Sequence, residues 1–147
     1  MVYSKATAQA TAEEWRALGF YYESDDDKRE WRFVGSKAGL HNLVDLLYEY
    51  ASNPANMLIS EHQHYGPYMY LKIATASDFG VGEDGIRGTL ANLRDLGRQI
   101  TEKIESAEPE STVVLTPAGA SPSGYRLVLD VRQEGFDPAS ADPQLGL

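Results

Sequence analysis

Leu40, Leu43, Val44, Leu47 and Ala51 recur at steps of three and four, so the stretch after Ser36 reads as an amphipathic helix with one apolar face. Ser36 is placed to cap this helix, and Asn53-Pro54 to stop it. From Ile86 the positions Leu90, Leu93, Gly97, Ile100 and Ile104 follow the same rule, which predicts a second long helix running to about Ser106. Arg98 and Glu102 can pair across one turn on its polar side. Upstream, "TAEEW" offers a capping box between Thr11 and Glu14, with Trp15 and Leu18 as the apolar side of a short helix that Gly19 closes.

Between the helices the pattern shortens to a period of two or to short aromatic and β-branched runs. Phe20–Tyr22 and Trp31–Val34 predict a hairpin with Trp31 and Phe33 on one face. The Asp25–Asp27 triplet inside it lacks the ligand alternation and closing glutamate of a calcium loop, and reads as a solvated turn. Met57–His64 and Tyr68–Thr75 form the next extended pair, joined around Tyr65-Gly66-Pro67. Alternation places Tyr68, Tyr70 and Lys72 on one face, and Met69, Leu71 and Ile73 on the core face. "SDFGVGEDG" reads as a loop; its glycines match neither a P-loop nor a dinucleotide fingerprint. Thr112–Thr116 and Tyr125–Val131 supply two last strands.

The expected fold is α+β: a two-layer sandwich in which a mainly antiparallel sheet is covered by two long helices, with a short N-terminal helix in addition. Residues 1–132 form one domain, and 133–147, acidic and poor in large apolar residues, form a flexible tail. No internal repeat stands out.

Composition narrows the chemistry. The chain has 147 residues, 42% hydrophobic and 24% charged, as expected of a folded soluble domain. The segment "MVYSKATAQATAEEW" lacks the apolar core of a signal peptide and no stretch reaches membrane-spanning length, which points to a cytoplasmic protein. Cysteine is absent, which excludes disulfides, a thiol nucleophile and Cys-ligated metal; no cofactor is expected. A net charge of −9 repels phosphate backbones and disfavours nucleic acid, while favouring encounter with a basic protein.

The densest chemistry lies in "EHQHYGPYMYLKI", Glu61 to Ile73. His62 and His64 are two apart on a strand and point to one face, a spacing that zinc sites use. A third ligand would have to come from His41, Asp78, Glu83 or Asp84, since Glu61 and Gln63 project the other way. On this reading the chain is a small metal-binding protein or metal-dependent hydrolase. The bland alternative is a polar strand face with satisfied imidazoles. Between them stands a protein-binding patch of Glu61, His62, His64, Tyr65, Tyr68, Tyr70 and Lys72, because tyrosine anchors interfaces at small entropic cost. A third reading, ranked below the binding patch and the metal site, makes the tyrosine-bearing strand the edge of a homodimer. No serine sits in a G-x-S-x-G elbow, so nucleophilic catalysis has no local signature.

Taken in order, "FVGSKAGLHNLVDLL", "EHQHYGPYMYLKIAT" and "GIRGTLANLRDLGRQI" resemble small immunity proteins of bacterial polymorphic toxin systems, over about Trp31 to Ile104. The resemblance implies an α+β protein without catalytic activity that binds and neutralises a cognate toxin domain inside the cell. It makes Glu61, His62, His64, Tyr65 and Tyr70 the characteristic strand and Gly88, Thr89 and Leu90 the start of a helix. Thr89 is also a natural cap on physical grounds. An inhibitor of a nuclease-type toxin would mimic an acidic substrate, which suits the net charge.

Overall fold

A computed structural model describes residues 4–147. Helix α1 spans Lys5–Leu18, earlier than the expected capping box, because the Ser4 hydroxyl accepts from the Thr7 N–H at 3.2 Å. Thr11 therefore lies inside the helix, and Gly19, left-handed at φ 93°, closes it as expected. Strands β1 (Tyr21–Asp25) and β2 (Glu30–Ser36) form the first hairpin, and α2 (Lys37–Ser52) follows from the Ser36 cap. A 3-10 turn at Pro54–Met57 leads to β3 (His62–Tyr65) and β4 (Leu71–Thr75). The stretch expected as a glycine loop is instead a tight hairpin, β5 (Gly80–Gly82) and β6 (Gly85–Gly88). Helix α3 spans Leu90–Ser106 behind a capping box in which Thr89 and Asn92 satisfy each other's backbone. Strands β7 (Ser111–Leu115) and β8 (Arg126–Arg132) complete the regular elements.

Among the described residues the chain is α+β, with three α-helices and two mixed sheets of four strands. The one sheet expected is therefore two. Their orders are β1-β2-β8-β7 and β3-β4-β6-β5. In each, two antiparallel hairpins meet through a central parallel pair, β2 with β8 and β4 with β6. Turn signals reveal hairpins but not such distant parallel pairing, which is why the second sheet was hidden.

The topology also reveals a repeat. Strands β1 and β2, α2, β3 and β4 have the same order and pairing as β5 and β6, α3, β7 and β8. Each half places its first hairpin beside the other half's second hairpin. A shift of 53 residues carries the cap Ser36 onto Thr89, and Leu40, Leu43, Leu47 and Ala51 onto Leu93, Leu96, Ile100 and Ile104, all of them buried. The same shift carries Val44 onto Gly97, and the two helices pack there. A Cβ on Gly97 would lie 2.6 Å from the Tyr48 ring, so glycine is what permits the approach. Burying each leucine or isoleucine of this seam contributes about 1.5–3 kcal/mol.

The segment expected to trail away from Gln133 lies against the domain. A 3-10 turn at Pro138–Ala141 packs on α1, with Ala139 fully buried. Arg16 forms a two-pronged pair with Asp137, and buried Asp142 accepts from the Trp15 indole at 2.9 Å and the Tyr68 hydroxyl at 2.5 Å.

Candidate binding surfaces

Strand β3 is the edge of its sheet, and its alternation puts His62 and His64 on the face turned away from the helices, opposite Ala74 and Lys72 of β4. Their Nδ1 atoms lie 3.0 Å and 3.1 Å from the carbonyls of Ser60 and Met69. A carbonyl only accepts, so in each ring Nδ1 carries a proton and donates it. The two rings stand nearly perpendicular at 5.2 Å. Among the described residues no three His, Cys, Asp or Glu side chains gather closely enough to hold a metal ion, so His41, Asp78, Glu83 and Asp84 do not complete a ligand set with the pair.

The other residues expected in one patch are spread over separate surroundings. Tyr65 turns toward the core, and burial pushes its phenol up to about 12. Tyr68 reaches back to Asp142 and packs edge-on to Trp15. Tyr70 stays 69% exposed beside Tyr68, and Lys72 is half-buried on the histidine face. Exposed Glu61 contributes its backbone, accepting from the Tyr50 hydroxyl at 2.7 Å. Met69 is not core as alternation suggested. The strand begins only at Leu71, and Met69 sits in the preceding turn at φ 60° with its side chain exposed.

Two open clefts lie around this region. The first, about 560 Å³, runs over the outer face of the β3-β4-β6-β5 sheet and is bounded by Ile59, His62, Lys72, Ala74 and Arg87. Its floor is low because Gly82 and Gly85 carry no side chains. Gly85 has φ 132°, and a Cβ there would meet the Lys72 carbonyl oxygen at 2.2 Å. Arg87 lies across Gly80 and pairs with Asp78 at 3.1 Å, which holds the Asp78 carboxyl below its ordinary value. Met57, Leu58 and Ile59 stand 63–68% exposed in succession, an apolar run that folding leaves uncovered, and Ile59 borders this face.

The second cleft, about 420 Å³, lies between β1, the β5–β6 turn and the C-terminal segment. Tyr21, Tyr22, Trp31, Tyr68 and Tyr70 supply aromatic surface, and Glu23, Glu83, Asp84 and Asp142 line it with carboxylates. Burial, followed by the charges of Glu23 and Asp142, raises the Tyr21 phenol well above its ordinary value.

Sequence reading reached His62, His64, Lys72 and Tyr70 but missed the Met57–Ile59 cluster, which alternation had placed in a strand. It also missed the second cleft, whose walls come together only through the tertiary fold.

Compared with known proteins, the chain matches no family, no curated protein and no solved structure. Among the described residues no helix is long and apolar enough to cross a membrane.

Proposed function

We propose that this chain is a non-catalytic immunity protein of the cytoplasm that binds and neutralises a cognate toxin domain. The observation that carries the reading is the Met57-Leu58-Ile59 cluster. It is three consecutive large apolar side chains, mostly exposed, of which Ile59 borders the same cleft as His62. Water contact of this kind costs stability unless a partner covers it, and interface cores are built from such residues. The cluster also falls where the two halves differ. From α3 to β7 the link is residues 107–110, whereas from α2 to β3 it is residues 53–61, and the apolar trio lies in this longer link. The fold closes without those residues in the second half, so their presence in the first half suits binding rather than folding. The resemblance over Trp31 to Ile104 supplies the kind of partner, and the net charge of −9 suits a basic one.

The test is co-purification with the product of the adjacent gene and rescue of growth against its C-terminal domain. A tight complex and rescue are expected. Replacing Leu58 and Ile59 together by aspartate should weaken the complex at least about thirtyfold, as loss of a central interface anchor does. The same replacement should leave thermal stability within about 0.5 kcal/mol, because both side chains are exposed. Absence of a complex with the wild-type chain would end the reading. A self-associating chain with no toxin complex would reassign the surface to a homodimer.

A further inference from the structure

The second cleft collects an unusual set of side chains for one place. Its walls hold four carboxylates, from Glu23, Glu83, Asp84 and Asp142, and no lysine, arginine or histidine. Several acids of this protein are matched, and of those only Glu23 lines the cleft. Asp130 and Glu30 hold Arg32, Asp137 holds Arg16, Asp78 holds Arg87, and Asp95 with Glu102 holds Arg98. The Glu83 and Asp84 carboxylates, at the tip of the β5–β6 turn, make no ion pair or side-chain hydrogen bond among the described residues, and Glu23 meets Arg32 only at 4.0 Å.

Behind these acids stands aromatic surface. Tyr68 and Tyr70 lie 5.6 Å apart with their rings tilted by 32°, and Tyr70 is mostly exposed. Asp142 is rigidly held at the back, its oxygens taken up by Trp15, Tyr68 and the Gln144 N–H. Carboxylates beside π faces, in a space of about 420 Å³, make an environment in which a cation gains from both fields at once. The raised Tyr21 phenol is consistent with the negative potential there.

We infer that this cleft receives the guanidinium or ammonium side chain of a basic protein partner. A planar guanidinium is the better fit, because it can lie on Tyr70 while its edge donates to Glu83 or Asp84. The cleft and the histidine face share Glu83 and Asp84 at their boundary, so one partner can cover the apolar cluster and place a basic side chain in the cleft together. Only the source of the cation rests on the proposed toxin-binding function; the preference of the cleft for a cation stands on its own.

The experiment titrates the whole isotope-labelled chain with N-acetyl-arginine amide and, as the uncharged counterpart of the same shape, N-acetyl-citrulline amide. Saturable amide shifts confined to Tyr70, Glu83, Asp84 and Gln144 are expected with the arginine probe and not with the citrulline probe. Glu83→Gln combined with Asp84→Asn should weaken arginine binding about threefold to tenfold, and Tyr70→Ala about twofold to fivefold, with the thermal midpoint unchanged in both. Equal shifts with citrulline, or no loss in the double variant, would overturn the proposal. A second arm measures the complex with the toxin domain. If the arginine probe binds but the toxin binds the double variant as tightly as wild type, the partner assignment is overturned and the cleft belongs to a free organic cation. If no toxin complex forms at all, the proposed function fails while the titration still decides the cleft.

Discussion

The outer faces of the two sheets are built on the same plan and finished differently. Where the first sheet has Arg32, Asp130, Glu23 and Thr112, the equivalent positions of the second are Gly85, Ala74, Gly82 and His62. The first face is therefore closed by its own chemistry. Arg32 bonds Asp130 at 2.5 Å, Thr112 donates to the other oxygen of that carboxylate at 2.6 Å, and Arg126 reaches Glu30 at 3.2 Å. Tyr21 and Val34 at its end are buried, where α1 and the C-terminal segment pack. The second face has small residues where those ion pairs would stand, and keeps two histidines, Lys72 and Arg87 around a groove. Neither need follows from folding alone, since the same plan folds with either finish. The first face is closed by its own side chains and the second stays open, and on the proposed function the open face is the one that meets the partner.

The strongest way to break this comparison is at the shared core. Leu40→Ala and Leu93→Ala occupy equivalent, fully buried positions and should each cost about 2–5 kcal/mol in urea unfolding. A loss at only one of them would show that the halves are not equivalent in energy. A smaller effect sharpens the contrast between faces. Asp130→Asn should cost about 1–3 kcal/mol by removing the charge from the bond to Arg32, whereas Ala74→Asp, the same position in the second sheet, should stay within about 1 kcal/mol.

Acid sharpens the same contrast. Burial opposes ionisation of Asp130, but hydrogen bonds from Thr112 and Arg32 and the Arg32 charge outweigh it and hold the carboxyl below its ordinary value. A folded value below the unfolded one means that the stabilisation is present above about pH 4 and is lost as pH falls through the folded value. Wild type should lose stability on acidification below that point, and Asp130→Asn should lose less. The mildest test compares the caps: Ser36→Ala and Thr89→Ala should each cost about 1 kcal/mol in thermal unfolding, and a cap that costs nothing would leave that helix start held by packing alone.

Much of this was legible in the sequence for local reasons. Both long helices, their hydroxyl caps and their buried faces follow from spacing and from cap chemistry. So do the first hairpin and the last two strands. The duplication was not legible because its halves do not run at one period. The shift is 53 residues through the helices but 59 from Tyr21 to Gly80, 50 from Gln63 to Val113 and 56 from Ile73 to Leu129. Links of unequal length break the self-similarity into short blocks. At the candidate site, period-two alternation correctly paired His62 with His64 and kept Lys72 with them. It failed at Met69 and Met57–Ile59, where positive-φ turns at Met69 and Ser60 end the extended backbone that alternation assumes. Tyr68 was misjudged for another reason: its partner Asp142 lies 74 residues away, beyond the reach of any local rule.

The clasp between α1 and the C-terminal segment has a consequence for the order in which the molecule is completed. Arg16 and Asp137 are 121 residues apart, and Trp15 and Asp142 are 127 apart. During synthesis, α1 emerges well before the segment that clasps it and can coil early from its own cap and C-terminal glycine. Tyr21 and Tyr22 can cover the Trp15 indole soon after, but the indole N–H has no acceptor until the residues around Asp142 have left the ribosome. Contacts at such separation are slow to form and come late. A helix that can coil early thus gains its clasp late, and a Trp15 fluorescence change should mark the closing of that clasp.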